Sequence, residues 1–162
     1  MIIKTKLTEK DLINVNFVLL YSKLSVKIFT LIGILMLVVT SVSFFSQSRH
    51  SSITTLIATP LIILLGFPLL TYFGSKRSFV TNKRISETIE YQFGKELLFI
   101  KGESFTAQLT WDKIYKVSQN KNWILIWQNK QVANVIPKRD IWEGDVIELK
   151  EILQTHKVKN NL

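Results

Sequence analysis

From Ile28 to Ser48 the chain carries no charged residue, and the run from Ile28 to Val39 is broken only by Thr30 and Gly33 before continuing through Val42, Phe44 and Phe45. As a helix this stretch is about 31 Å long, close to the roughly 30 Å of a bilayer's hydrocarbon. A second uncharged block runs from Ser51 to Ser75, with Ile53 to Phe73 as its apolar heart. Pro60, Gly66 and Pro68 interrupt it. Inside a membrane such breaks are tolerated, because neighbouring groups satisfy the freed carbonyls, so a kinked second helix is expected. The expected spans are about 26–46 and 53–74, forming a two-helix hairpin over 26–75. The short polar segment Ser46–Ser52 between them makes the helices antiparallel neighbours.

Neither a buried helix pair nor a cleaved signal peptide fits these blocks as well. A buried pair in a globular protein needs far more chain to cover two all-round apolar helices than 162 residues provide. A cleaved signal peptide has a shorter apolar core and is not preceded by a polar leader holding Glu9 and Asp11.

Past the second block the period becomes two. Ile85, Ile89, Tyr91 and Phe93 alternate with polar residues, Gly94-Lys95 turns the chain, and Leu97–Ile100 follows. Phe105, Ala107, Leu109 and Trp111 then face one side, with Ser104, Thr106, Gln108 and Thr110 on the other, the reading of a half-buried antiparallel strand. Tyr115–Ser118, Trp123–Trp127 and Val132–Ile136 are three further strands, the last closed by Pro137, which cannot donate to a ladder. Glu143–Thr155 places Val146, Leu149 and Leu153 on one helical face, and the tail from Lys157 is expected to fray. Residues 76–162 are thus expected to form a small antiparallel sandwich or partly open barrel with one C-terminal helix, an architecture shared by pleckstrin-homology-like domains. The whole is a membrane α-helical hairpin joined to a mainly-β domain.

Residues 1–25 form a third region. Ile3 to Leu7 alternate like a short strand that could join the later sheet. Thr8-Glu9-Lys10-Asp11 resembles a capping box, and Ile13, Phe17, Leu20 and Leu24 recur at helical spacing. An amphipathic helix follows, either lying on the inner leaflet or packing on the soluble domain.

Charge orients the hairpin. The formal net charge is +9, with Lys10, Lys23 and Lys27 before the blocks and Lys76, Arg77, Lys83 and Arg84 after them, against Arg49 alone between. Lys/Arg-rich flanks stay in the cytoplasm, so both termini are expected inside and the Arg49-His50 loop outside. The basic residues of the second half are interspersed with acids, a weak footprint for nucleic acid, which is not expected as a partner.

The order of elements, with Trp111-Asp112-Lys113-Ile114 after the third strand of the second half and Ile136-Pro137-Lys138-Arg139 after the sixth, resembles the YcxB-like family of bacterial membrane proteins. The opening Leu7-Thr8-Glu9-Lys10-Asp11-Leu12 is also similar. The resemblance implies a bacterial cytoplasmic membrane and a domain without an established activity. In it Trp111, Ile114, Ile136, Pro137 and Lys138 stand as motif residues with a structural role.

Candidate chemistry is sparse. There is no cysteine, which excludes disulfides and thiol catalysis. His50 and His156 are the only imidazoles, and the expected topology separates them across the membrane. No Gly-rich phosphate loop, Gly-x-Ser-x-Gly or His-Glu-x-x-His occurs. Glu87, Glu90, Glu103 and Asp112 read as solvated carboxylates. Neither an enzyme nor a cofactor is expected. Trp111, Trp123, Trp127 and Trp142 read as core, with Trp142 packing between helix and sheet. The expected role is a membrane-anchored interaction module that binds a protein partner, or forms a homo-oligomer. The alternative is anionic-lipid binding by Lys76, Arg77, Lys83, Arg84, Lys138 and Arg139. Transport is not favoured, since neither apolar block holds an ionisable residue.

Overall fold

The structure is a computed structural model that describes residues 1–45 and 53–162. It divides into two compact units, Met1–Thr8 with Asn82–Leu162 and, separately, Glu9–Thr81. The segment expected to loop outward with Arg49 and His50 lies outside the described residues.

The helical unit holds α1 (Glu9–Ser22), α2 (Leu24–Phe45) and α3 (Ile53–Thr81). Two of these helices are long and apolar enough to cross a membrane, over Leu24–Val42 and Ala58–Thr81. They are antiparallel neighbours, with the rings of Phe29 and Phe67 5.9 Å apart and Gly33 facing Ile63 and Leu64. Gly33 sets that approach: a Cβ there would come within 2.8 Å of Leu64 Cγ. Outward, Leu31, Leu35, Val39, Ile62 and Leu70 are exposed.

Pro60 and Pro68 both lie inside α3, which continues past the expected stop near residue 74 to Thr81. Its last turns, from Ser75 to Thr81, contain no proline or glycine to end it. At about 43 Å the helix exceeds the bilayer's hydrocarbon by roughly nine residues. Against that extension packs α1, where the Asn16 Nδ2 amide donates to Ser75 Oγ at 2.9 Å. Val15, Asp11 and Ser75 are buried. The first helix therefore packs on its helical neighbours, and its buried positions are not the Ile13, Phe17, Leu20 and Leu24 stripe: Leu24 is exposed.

The soluble unit contains two antiparallel sheets. In the first, the order is β1 (Ile2–Lys6), β2 (Thr88–Phe93), β3 (Leu97–Lys101) and β4 (Thr106–Thr110). In the second it is β5 (Lys116–Gln119), β6 (Trp123–Trp127) and β7 (Ala133–Pro137). Alternation decides which face is inward. Ile3 and Thr5 of β1, Tyr91 and Phe93 of β2, and Leu98 and Ile100 of β3 are buried. In β6 the four residues from Trp123 to Ile126 are all buried. The C-terminal helix α4 (Glu143–Thr155) closes the core with Leu149 and Leu153.

The N-terminal strand is a full member of the first sheet: Ile3 lies opposite Tyr91, and Lys6 opposite Thr88. The soluble unit thus begins before the helices and resumes at Asn82 rather than at residue 76, with the entire helical unit inserted between two paired strands. Where β2 was expected to start near Ile85, Lys83–Ser86 instead forms a 3-10 turn capped by the Asn82 side chain, which accepts from Arg84 N at 3.2 Å.

The tail, expected to fray, is docked. Lys157 turns the chain at a positive φ of 54°, Val158 is buried, and Asn160 bridges Val117 in parallel. The outward amides of β5 are taken up by this segment: Val117 N donates to Lys159 O at 2.9 Å and Gln119 N to Asn161 Oδ1 at 2.8 Å.

Candidate functional site

The chain leaves the soluble unit after Thr8 and returns at Asn82, and these two points lie at one end of the first sheet, beyond the Lys6–Thr88 pair. Three local structures build that end. The first joins the returning chain to the β3–β4 connection. Ser104 N donates to Glu87 Oε2 at 2.9 Å, Ser104 Oγ donates to Glu87 Oε1, and Thr88 N donates to Glu103 Oε1 at 3.2 Å. The Ser104 hydroxyl and amide hold the Glu87 carboxyl below the ordinary carboxylate value. Gly102 is required here, since a Cβ would strike the Phe105 ring and the Glu87 carboxylate.

The second is the 3-10 turn Lys138–Asp140 after β7. Thr5 Oγ1 donates to Asp140 Oδ2 at 2.6 Å, and Arg139 Nη2 donates to the Lys6 carbonyl at 3.5 Å. Arg139 also pairs with Asp140 at 3.6 Å. The third is the start of α4, where Trp142 N donates to Asp145 Oδ2 at 3.3 Å and Asp145 N donates to the Trp142 carbonyl at 3.1 Å.

The six candidate cations are divided between the two units. Lys76 and Arg77 belong to α3 in the helical unit. Lys83 and Arg84 sit in the 3-10 turn, with the Arg84 guanidinium 5.6 Å from the centre of the Phe105 ring. Lys138 Nζ donates to Gln119 Oε1 at 2.6 Å, and its backbone N donates to Asn122 O, so it braces the β5–β6 turn. Arg139 is held between the Lys6 carbonyl and Asp140.

Four of the five motif residues, Trp111, Ile114, Ile136 and Pro137, are buried. Trp111 and Ile114 are buried at a 3-10 turn where the chain passes from the first sheet to the second, and the Trp111 indole donates to Gly94 O at 3.2 Å. Ile136 and Pro137 are buried at the end of β7, opposite Ile124 and Trp123. Tyr91, Phe93, Trp111 and His156 stack in a row with centroid spacings of 6.4, 6.3 and 5.6 Å, so His156 ends an aromatic ladder. Burial pushes the Tyr91 phenol's pKa upward. Glu90 is held below its ordinary value by Gln92 and then Lys4, the latter at 3.1 Å. Among the described residues no group of three His, Asp or Glu side chains is placed to hold a metal ion.

Of the four tryptophans, Trp111 and Trp123 are core and Trp127 is half-buried, its indole donating to Ser118 Oγ at 2.8 Å. Trp142 corrects the expectation that it packs between helix and sheet. It stands 82% exposed at the N-cap of α4, while the preceding Ile141 supplies the contact with the core. The alternation after Pro137 carries a signal for this: a 3-10 turn followed by Ile-Trp at a helix start allows only one of two neighbouring apolar residues to face inward.

A family model described as YcxB-like protein matches residues 93–153. This span is YcxB-like, running from the last residue of β2 into α4 and holding both motifs. No curated protein and no solved structure matches the chain.

Proposed function

We propose that this protein is a membrane-anchored, non-enzymatic interaction module of the bacterial cytoplasmic membrane, displaying a pleckstrin-homology-like domain at the inner leaflet. The observation that carries the reading is the pairing of β1 with β2 across the inserted helices. Strands that precede and follow the helical unit can share a sheet only on one side of a membrane, so an even number of crossings is required. Basic flanks at both ends of the pair assign that side to the cytoplasm. Four strands, then three, then a closing helix support the pleckstrin-homology-like architecture.

The mode of interaction is strand addition, with main-chain hydrogen bonds supplying affinity. The outer edge of β5 is occupied by the chain's own tail, leaving β1, β4 and β7 as the edges without a further paired strand among the described residues. The anionic-lipid alternative draws less support, because Lys138, Arg139 and Arg84 are each engaged within the fold.

The natural absence of cysteine makes the test clean. Single cysteines placed by Ser48→Cys and Lys130→Cys are probed in intact cells with a membrane-impermeant maleimide. The first is expected to label from outside and the second only after permeabilisation. Labelling of Lys130→Cys in intact cells would overturn the cytoplasmic placement, and recovery of the full chain alone from mild detergent would overturn an obligate partner.

A further inference from the structure

We propose that Trp142 docks the soluble unit on the bilayer, with its indole in the lipid–water interface. This inference rests on the reading that the helical pair spans a membrane.

Trp142 has the highest exposure among the soluble unit's large apolar residues, and its place in the fold is not arbitrary. It follows Arg139 and Asp140, which bond to Lys6 and Thr5, the last residues of β1 before the chain departs for the helices. Further along α4, Glu148 pairs at 3.2 Å with the Met1 ammonium, next to the opposite end of β1. The indole therefore sits at the end of the unit that is covalently tethered at both Thr8 and Asn82. Tryptophan favours the headgroup level, where its ring is shielded and its N–H stays solvated.

Charge at this end decides which lipid chemistry is read. The cations Lys6, Lys83, Arg84, Lys138 and Arg139 are matched in number by the carboxylates of Glu87, Glu103, Asp140, Glu143 and Asp145. Attraction between this end and anionic head groups is consequently weak, and the indole itself is the docking element. The surface reads the interface of a bilayer, not the charge of its lipids.

All four tryptophans lie in the soluble unit and none in the helices, so emission reports on docking directly. The full chain is placed in nanodiscs of zwitterionic phosphatidylcholine with brominated acyl chains, which quench indoles at membrane depth. The expected result is a loss of up to about a quarter of the emission, the share of one tryptophan in four, abolished by Trp142→Phe and unchanged by added salt or anionic lipid. Quenching that persists in Trp142→Phe, or that appears only with anionic lipid, overturns the inference. A chain that stays with the disc but is not quenched overturns the docking alone and leaves the anchor standing. A chain that does not enter the disc overturns the anchor, and the docking with it.

Discussion

Ile124 and Leu98 in the soluble unit are fully shielded, whereas Leu70 and Ile62 in the helical unit stand 74% and 70% exposed. The same side-chain chemistry is satisfied in one region by other side chains and in the other by whatever surrounds it. In water, leaving residues of this size uncovered along two helices forgoes on the order of 1.5–3 kcal/mol each. In hydrocarbon it forgoes nothing. The two regions also differ in how far along the chain their partners lie: α2 and α3 meet across a short connection, but β1 reaches a partner on the far side of both helices. The helical unit is held by near neighbours and the soluble unit by a distant one.

Five changes break or sharpen this contrast. Deleting Ile2–Lys6 removes a whole edge strand together with buried Ile3, and is expected to abolish cooperative unfolding of the soluble unit followed by tryptophan emission, while leaving membrane extraction unchanged. Ile124→Ala is next. It should cost about 2–5 kcal/mol in a denaturant titration, because a fully buried methyl-rich side chain leaves a cavity. Gly33→Leu overpacks the closest approach of α2 and α3 and should destabilise the hairpin by about 1–3 kcal/mol. A crosslink reporter between the helices would register the separation, with the soluble unit's emission unaffected.

A smaller effect is expected from Ser104→Ala. The Glu87 carboxyl is held below the ordinary value of 4.5, so its clamp stabilises the fold above that pH and is lost as pH falls through the lower folded value. Removing Ser104 should therefore flatten the acid limb of stability below about pH 4.5, leaving the slope near pH 7 as it was. Leu70→Ala, the counterpart of the Ile124 truncation in the helical unit, should change least, shifting thermal unfolding in detergent by less than about 0.5 kcal/mol. An equal cost for the two truncations would show that Leu70 is covered by protein.

The elements with a strong local period were legible in the residues. The two apolar helices, the alternation of β2 to β4, the apolar β6 and the limits of α4 at Glu143 and Thr155 follow from spacing alone. What escaped was set by partners distant in sequence. The residues of β1 alternate, but nothing in Ile3 or Thr5 says that Tyr91 and Ile89 lie opposite. The tail lacks a strand's period, and only the outward amides of β5 give it a place. In α1 the buried residues Val15 and Asp11 lie off the apolar stripe, whose Ile13, Phe17 and Leu20 are only half-buried. For the candidate surface, the basic residues were visible as residues, yet their engagement with Gln119, Lys6 and Phe105 depends on turns that charge patterning does not encode. Trp142 was visible too, but an apolar residue at a helix start can face either way.

The β1–β2 pairing also orders events during synthesis. Ribosomes extend a chain by roughly 5–20 residues per second, so β2 follows β1 from the exit tunnel by on the order of 4–16 s. Throughout that interval the first strand lacks its partner and Ile3 is uncovered, and on the proposed topology both helices are delivered to the bilayer before β2 arrives. On that topology, folding of the soluble unit is conditional on insertion of both helices: a nascent chain with only one helix across the bilayer has its first strand on the opposite side from β2 and cannot finish the sheet.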